Sequence, residues 1–220
     1  GELDQTNTDA IMQWLSANGA LYWMYTVMRM IGRVAFPIFC FLLVEGFLHT
    51  HDVKKYAMRL GLFALLSEIP FDLAFSSKIL EFNYQNVFFT LFIGLLTMIA
   101  YRAVEEKEEW NQALKVILYI LIVAAGMALA YFLKTDYAEK GVFCIMVLYI
   151  FRKKKMWQII AGCASFIWET PALFGFIPIA FYNGTRGWKM KYFFYIFYPA
   201  HLLILYLLCY FMGISGYSAV

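Results

Sequence analysis

The sequence predicts an all-α, polytopic integral membrane protein, a helical bundle of about eight transmembrane helices. Hydrophobic residues make up 63% of the chain and charged residues only 15%, whereas soluble domains average about 45–50% and about 25%. The chain therefore has too little polar surface to cover a soluble globule. Its apolar runs follow one another with short polar connections, which leaves no stretch long enough for a separate soluble domain.

Eight apolar segments account for this prediction, because about 20 apolar residues cross a bilayer as a helix. The fifth to seventh of them are shorter than a usual span. A short amphipathic segment over residues 8–17, which Thr8 or Asp9 would cap, precedes the first. We therefore expect two parts, an extracytoplasmic amphipathic segment over residues 1–20 and a single transmembrane domain over residues 21–220. The expected spans are residues 21–48, 54–75, 86–104, 113–133, 137–151, 156–168, 171–182 and 192–212.

The basic residues predict an orientation for these spans. If the spans alternate, the loops on one side hold thirteen of the 18 Lys and Arg residues and those on the other side hold three, with Arg29 and Arg33 inside the first span. Cytoplasmic loops are enriched in Lys and Arg. We therefore expect a multi-pass protein with both ends of this chain outside the cytoplasm.

Ionisable residues inside the apolar segments give the first indication of a site. Such groups are costly at membrane depth unless they pair or face a wet cavity. Glu45 and His49 lie four residues apart and so share a helix face. A carboxylate beside an imidazole is a common arrangement for a general base, and a structural hydrogen bond near a helix end is an equally good interpretation. Both interpretations stay open.

Three further sets of ionisable residues lie inside the apolar segments. Arg29 and Arg33 share a face, and Arg29 suits an arginine that extends towards the headgroups, whereas Arg33 lies deeper. Glu68 and Asp72 are four residues apart, and we expect them to pair with the two arginines. His201 lies near the start of the last span, where a lone histidine more often serves packing than catalysis.

The loop before the last span combines turn-forming residues with cations. Its segment YNGTRGWK contains Asn183, Arg186 and Lys189, and Lys191 follows. Topology alone would explain these cations. A phosphate-rich cytoplasmic ligand would use them as well, because Arg and Lys are the usual donors to phosphate.

Several other classes of site are not indicated. The four cysteines lie within apolar runs without a CxxC spacing, which argues against a disulfide framework or a zinc site. No Walker loop, GxSxG elbow or HExxH segment is present. We expect no metal and no nucleic-acid partner.

Several long sequence blocks resemble the TraX family. They are spread over almost the whole chain from Arg29 onward and are idiosyncratic enough to make the resemblance specific. The blocks are IGRVAFPIFCFLLVEGFLHT (31–50), RLGLFALLSEIPFDLAF (59–75), NVFFTLFIGLL (86–96), DYAEKGVFCIMVLY (136–149), YNGTRG (182–187) and FFYIFYPAHLLIL (193–205).

The resemblance implies a function. TraX of conjugative plasmids is associated with N-terminal acetylation of pilin, and the family looks like a small relative of multi-span membrane acyltransferases that acetylate glycans. It implies an acyltransferase of the bacterial cytoplasmic membrane that takes an acetyl group from cytoplasmic acetyl-CoA. The acceptor would be an amine or hydroxyl of a pilin-like protein or a glycan. The residues carried over with the matching blocks are Arg33, Glu45, Arg59, Glu68, Asp72, Asn183, Arg186 and His201.

The chain departs from the family pattern at one point. Family members begin with a further hydrophobic helix that ends near an Asp-His pair, and this sequence contains no Asp-His dipeptide. Three explanations stay open: a trimmed helix, a helix supplied as a separate polypeptide, or Glu45 and His49 in its role. We also keep two alternative functions, a small-solute transporter, because buried charges also line substrate pathways, and an envelope assembly factor.

Overall fold

The computed structural model of the chain describes residues 8–76, 81–185 and 191–212, and within these ranges every regular element is a helix. The predicted all-α class is therefore confirmed. The elements are α1 (Thr8–His49), α2 (Val53–Ser76), α3 (Val87–Glu105), α4 (Gln112–Phe132), α5 (Ala138–Ile150), α6 (Lys155–Ser165), a 3₁₀ helix (Thr170–Gly175), α7 (Phe176–Phe181) and α8 (Lys191–Phe211).

Asparagine side chains start two of the helices. Asn86 Oδ1 accepts a hydrogen bond from the backbone N–H of Phe88, and Asn111 Oδ1 accepts one from Ala113. Each bond satisfies an N–H group that has no partner inside the helix. The start of α5 is different, because Tyr137 adopts the left-handed conformation at φ 63° and its ring stacks on Phe36.

The helices pack around α3 and α5. On one side α2 lies between α3 and α8, and on the other α5 contacts α1, α4 and α6. The 3₁₀ helix packs along α1. The core is mainly α5, where Val142, Ile145 and Leu148 are fully buried, together with the second half of α1. By contrast, α4 is apolar and largely exposed, as expected for a helix that faces lipid.

The prediction of about eight membrane spans is wrong for the described part of the chain. Three helices there are long and apolar enough to cross a membrane, Tyr22–His49, Val87–Glu105 and Gln112–Phe132. The helices α5, α6 and α7 have 13, 11 and 6 residues, which is short of the roughly 17–25 that a span needs. Helix α2 is long enough but carries five charged residues between Lys54 and Asp72.

The expected amphipathic segment over residues 8–17 is not a separate element. Helix α1 runs without a break for 42 residues from Thr8 to His49, through the expected boundary at residue 20 and past Pro37. Whether residues 1–20 lie outside the cytoplasm stays a prediction.

Candidate active site

A cluster of carboxylates lies where α2 ends and α3 begins. We call Glu68, Asp72, Tyr84, Asn86 and Asp136 the carboxylate cluster. Asn86 joins α2 to α3, because its Nδ2 donates to Glu68 Oε2 and, at 2.8 Å, to the carbonyl of Ala64. The backbone N–H of Asn86 also approaches Glu68 Oε2, at 3.3 Å. Asn86 is fully buried, and its amide therefore holds a carboxylate inside the bundle.

Two carboxylate oxygens of this cluster have no hydrogen-bond partner among the described residues. Asp72 Oδ2 accepts from the backbone N–H of Glu81 at 2.8 Å, but the buried Asp72 Oδ1 and Glu68 Oε1 are unbonded. The cluster continues through Tyr84, whose hydroxyl donates to Asp136 Oδ1 at 2.7 Å. Tyr198 of α8 lies close enough to Glu68, Tyr84 and Asp136 to interact with all three.

Burial alters the acidity of the groups at this end. It raises the pKa of the Asp136 carboxyl above its ordinary range, although the hydrogen bonds from Tyr84 and from the backbone of Tyr137 oppose it. Burial also raises the pKa of the Tyr84 phenol, and the neighbouring Asp136 adds to that shift. The Tyr84 hydroxyl therefore stays protonated and donates to Asp136.

Arg33 pairs with Glu169. Its Nη1 donates to Glu169 Oε1, which joins α1 to the residue just before the 3₁₀ helix. The expected pairing of Arg29 and Arg33 with Glu68 and Asp72 is therefore wrong. Arg29 instead donates to the hydroxyl of Tyr25 at 2.6 Å, one turn earlier on an exposed part of α1.

Glu45 and His49 share a face of α1, as predicted. His49 Nδ1 lies 3.8 Å from Glu45 Oε2 and 2.9 Å from the Glu45 carbonyl oxygen. The Glu45 side chain is 19% exposed and that of His49 is 67% exposed. Glu45 also interacts with the hydroxyl of Tyr182, which follows α7. The pair thus has a largely buried carboxylate beneath an accessible imidazole.

Arg59 lies at the same end of the bundle as this pair. It interacts with the hydroxyl of Tyr195 on α8 and lies near Tyr56, but its buried Nε has no hydrogen-bond partner. Tyr56 in turn approaches Gly46 of α1 closely, since a Cβ at Gly46 would lie 2.9 Å from the Tyr56 hydroxyl. Arg59 is therefore close to α1 without an acidic partner among the described residues.

The predicted catalytic residues are not brought together in one place. Arg33 and Glu45 are twelve residues apart on a continuous helix, which separates them by about 18 Å. His201 belongs to α8, where its Nδ1 lies 2.9 Å from the carbonyl oxygen of Phe197 and its ring packs against Tyr198. It is therefore closer to the carboxylate cluster than to Glu45. The catalytic roles of the four residues stay predictions.

The predicted donor site falls mostly outside the described residues. Arg186 and Lys189 lie there, and the side chain of Lys191 does too. Asn183 is exposed and forms a turn in which its Oδ1 accepts from the N–H and the hydroxyl of Thr185. Lys155 of α6 donates to the carbonyl of Tyr182, which fixes the start of this loop next to α6.

The described residues contain neither a cluster of metal ligands nor a disulfide. No group of three or more His, Cys, Asp or Glu side chains there is arranged to hold a metal ion. Cys40, Cys144, Cys163 and Cys209 are all free thiols.

Several residues with contacts to the predicted site residues are not indicated by any sequence pattern described above. They are Tyr84, Asp136, Glu169, Tyr182 and Tyr195. Asp136 lies in one of the blocks that resemble the TraX family, which was an available signal. Glu169 offered no such signal, because it lies 136 residues from its partner Arg33.

Comparison with known proteins gives two matches. The family model described as TraX protein matches residues 17–209. The probable fimbrial assembly protein FimC, serogroup H1, of Dichelobacter nodosus is 27% identical over 208 residues, which cover 83% of each chain. No solved structure matches the chain.

Proposed function

The chain belongs to the TraX family, and on that premise we propose that it is a membrane-embedded acyltransferase. It transfers an acetyl or acyl group from cytoplasmic acyl-CoA to an amine or hydroxyl of an acceptor in the membrane or on the cell surface. A pilin-like protein or a glycan is the expected acceptor, and the bacterial cytoplasmic membrane is the expected location. The name of the fimbrial assembly relative is consistent with a pilin-like acceptor.

The observation that supports this proposal best is the Glu45–His49 pair. The mostly buried carboxylate lies under an imidazole that remains accessible, which suits a histidine that receives a proton from an incoming acceptor. The carboxylate stabilises the imidazolium that results.

The proposed step transfers the acyl group from the thioester directly to the acceptor. The acceptor nitrogen or oxygen attacks the thioester carbonyl, His49 takes the proton of the acceptor, and the carbon–sulfur bond breaks. The thiolate of CoA leaves and recovers the proton from the imidazolium. The donor nucleotide would bind through Asn183, Arg186, Lys189 and Lys191, which are residue types suited to phosphates.

The more distant charged residues have a different part in the proposal. Arg33, paired with Glu169, and His201 lie too far from Glu45 to act on the same bond. We propose that they, together with Arg29, Glu68 and Asp72, hold the acceptor or stabilise the end of the bundle that contains the carboxylate cluster. Arg59 would hold the acceptor or the donor near Tyr195.

The test is an acyl-transfer assay with the detergent-purified chain, radiolabelled acetyl-CoA, an amine-bearing peptide and a hydroxyl-bearing glycan. Glu45→Gln and His49→Gln are expected to reduce transfer about 100-fold or more, the range of general-base catalysis. Glu106→Gln is the matched control, because Glu106 is exposed and pairs with Arg102 four residues before it. Full transfer by the Glu45 and His49 variants would show that this pair is not the base.

A second function is favoured by the relative's name, which describes fimbrial assembly. An assembly factor would bind its partner without thioester turnover. The same assay separates the two functions. Absence of CoA release with every acceptor, together with retained capture of a pilin-like peptide by the Glu45→Gln variant, would favour the assembly factor.

A further inference from the structure

The turn between α5 and α6 carries more positive charge than its surroundings neutralise. It contains four consecutive cations, residues 152–155, and two of them, Arg152 and Lys153, share one carboxylate, that of Glu105. Arg152 forms two short hydrogen bonds to Glu105, at 2.6 and 2.8 Å, and Lys155 donates to the carbonyl of Tyr182. Lys153 lies 3.8 Å from the same carboxylate with its side chain 79% exposed. Lys154 has no acidic partner among the described residues.

Lys153 and Lys154, which form no short hydrogen bond to a described residue, line a cleft whose other walls are apolar. The cleft has a volume of about 420 Å³ and is lined by Ile150, Phe151, Lys153, Lys154 and Trp157. Its three apolar residues are between 40% and 55% exposed. An open cleft that combines lysines with exposed aromatic and aliphatic side chains suits an amphiphilic anion better than a fully hydrated one.

The cleft lies at the end of a membrane span. Glu105 is the last residue of α3, one of the three helices able to cross a membrane. Its bonds to Arg152 fix the turn at that end of the helix. Trp110, which is 37% exposed, lies in the connection from α3 to α4. Tryptophan and clustered Lys and Arg residues at such a level are typical of the membrane interface.

We propose that this cleft binds the headgroup of an anionic phospholipid. Lys153 and Lys154 contact the phosphate, and Ile150, Phe151 and Trp157 contact the glycerol and the first acyl carbons. Lysine is a suitable point-charge partner for phosphate, and basic residues beside a span attract anionic lipids. This site is independent of the proposed acyl transfer, and none of its residues has been assigned to that reaction.

The test measures lipid binding to the delipidated, detergent-purified full chain by native mass spectrometry. The probes are short-chain phosphatidylglycerol, phosphatidylcholine of the same chain length, and adenosine 3′,5′-bisphosphate as a nucleotide phosphate. We expect phosphatidylglycerol to bind more tightly than phosphatidylcholine, and to bind less tightly as ionic strength rises. The Lys153→Gln/Lys154→Gln variant should lose about 25-fold in affinity, or roughly fivefold per lysine at the membrane surface.

The matched control is Lys54→Gln/Lys55→Gln, which removes the same charge from an exposed lysine pair at the start of α2. It should keep the affinity within about twofold, whereas an equal loss in both double variants would reduce the effect to net charge and overturn the proposal. Trp157→Ala should weaken phosphatidylglycerol binding severalfold, and unchanged binding would contradict the apolar half of the site. Competition by the nucleotide phosphate, or equal binding of phosphatidylcholine, would overturn the lipid assignment. No acyl donor is present, so the result does not depend on whether the chain is an acyltransferase.

Discussion

Asn86 illustrates how much one polar residue can hold together in a bundle of this kind. It caps α3, bonds the backbone of α2 and supplies the donors for Glu68. Without its side chain, the buried carboxylate of Glu68 would keep, among the described residues, only the 3.3 Å bond from the backbone N–H of residue 86. Loss of a donor to a buried carboxylate is among the most costly changes in a folded protein.

We therefore expect Asn86→Ala to destabilise the chain far more than the loss of a helix cap. Asn111→Ala is the matched control, because Asn111 caps α4 through the same bond but is exposed and holds no carboxylate. The control should cost about 1 kcal/mol, and Asn86→Ala about 3 kcal/mol or more in total. Thermal unfolding in detergent measures both. Addition of Glu68→Gln should restore part of the loss, and equal effects of the two Asn variants would contradict this account.

Asp136 predicts a pH dependence of stability. Because burial raises its pKa in the folded chain, the folded state binds the proton more tightly than the unfolded state. Its contribution to the free energy of unfolding is therefore fully present below the ordinary aspartate pKa and declines as pH rises through the folded pKa. Asp136→Asn keeps the oxygen that accepts from Tyr84 and removes this decline. As pH is raised above about 4, the Tm of the variant should therefore fall less than the Tm of the wild type.

Asp52 provides the control of opposite sign. The backbone and side chain of Lys55 lower its pKa, so its contribution is present above the ordinary range and is lost as pH falls through the folded pKa. Asp52→Asn should therefore lower the Tm above about pH 4 and leave it unchanged at the acidic end, where the contribution of Asp52 is already lost. Parallel Tm curves for wild type and Asp136→Asn would show that Asp136 does not produce the slope.

The contact between α1 and the 3₁₀ helix leaves no room for a side chain at Gly175. A Cβ there would lie 2.6 Å from Pro37 Cγ and 2.7 Å from the carbonyl oxygen of Val34. The second of these is backbone and cannot rotate away. Since Glu169 lies just before the 3₁₀ helix, the same contact positions the partner of Arg33.

Gly175→Ala is therefore expected to separate the 3₁₀ helix from α1 at a cost of about 1–3 kcal/mol, as for other overpacked sites. Gly32→Ala is the matched control on α1, because nothing lies within 4 Å of its added methyl group. Alanine favours a helix interior over glycine by up to about 1 kcal/mol, so the control should be neutral or stabilising. Equal Tm values for both variants would show that the contact is not tight in solution.

The helices could be predicted from the sequence, and their role as spans could not. Most of the predicted segments begin and end close to a helix of the structure, because apolar runs interrupted by asparagine, glycine and charged residues determine where helices form. The exceptions are the start of α1 at Thr8 instead of residue 21 and the division of residues 171–182 into a 3₁₀ helix and α7. Helix α5 is about as apolar as α3 but is largely buried against protein, and α6 and α7 are too short to cross a bilayer. Apolar character is the same in both environments, so composition does not distinguish them.

The candidate site was predictable only where its members share a helix. Glu45 and His49 follow from helical periodicity, but the pairing of Arg33 with Glu169 requires knowledge of how the 3₁₀ helix returns to α1. Likewise, Glu68 and Asp72 gave no indication that an asparagine and a backbone N–H, instead of arginines, are their partners. Contacts between distant parts of the chain depend on packing, which no local pattern encodes.

The three candidate spans predict on which side of the membrane each connection lies, and this can be tested. If α4 crosses the membrane, the connections at its two ends lie on opposite sides. In two variants that each add one cysteine, Glu108→Cys and Lys134→Cys, a membrane-impermeant maleimide should label only one of the two added cysteines in intact cells. We expect Lys134→Cys to be labelled, because the basic turn over residues 152–155 is bonded to the Glu108 end through Glu105 and basic loops favour the cytoplasm.

The wild-type chain gives the background in this experiment, since Cys40 and Cys144 are buried and Cys163 and Cys209 are half-buried. Labelling of both new cysteines in intact cells would place the two connections on one side and exclude α4 as a span.

The continuous helix α1 is longer than the hydrocarbon layer of a bilayer is thick. Its 42 residues extend over about 63 Å, whereas the hydrocarbon layer is about 30 Å thick. Even at a tilt of about 40°, the upper end of the usual range, the helix reaches about 48 Å along the membrane normal. If α1 crosses the membrane, part of it therefore extends beyond the hydrocarbon layer. The length of the helix sets how far the residues of that part lie from the layer.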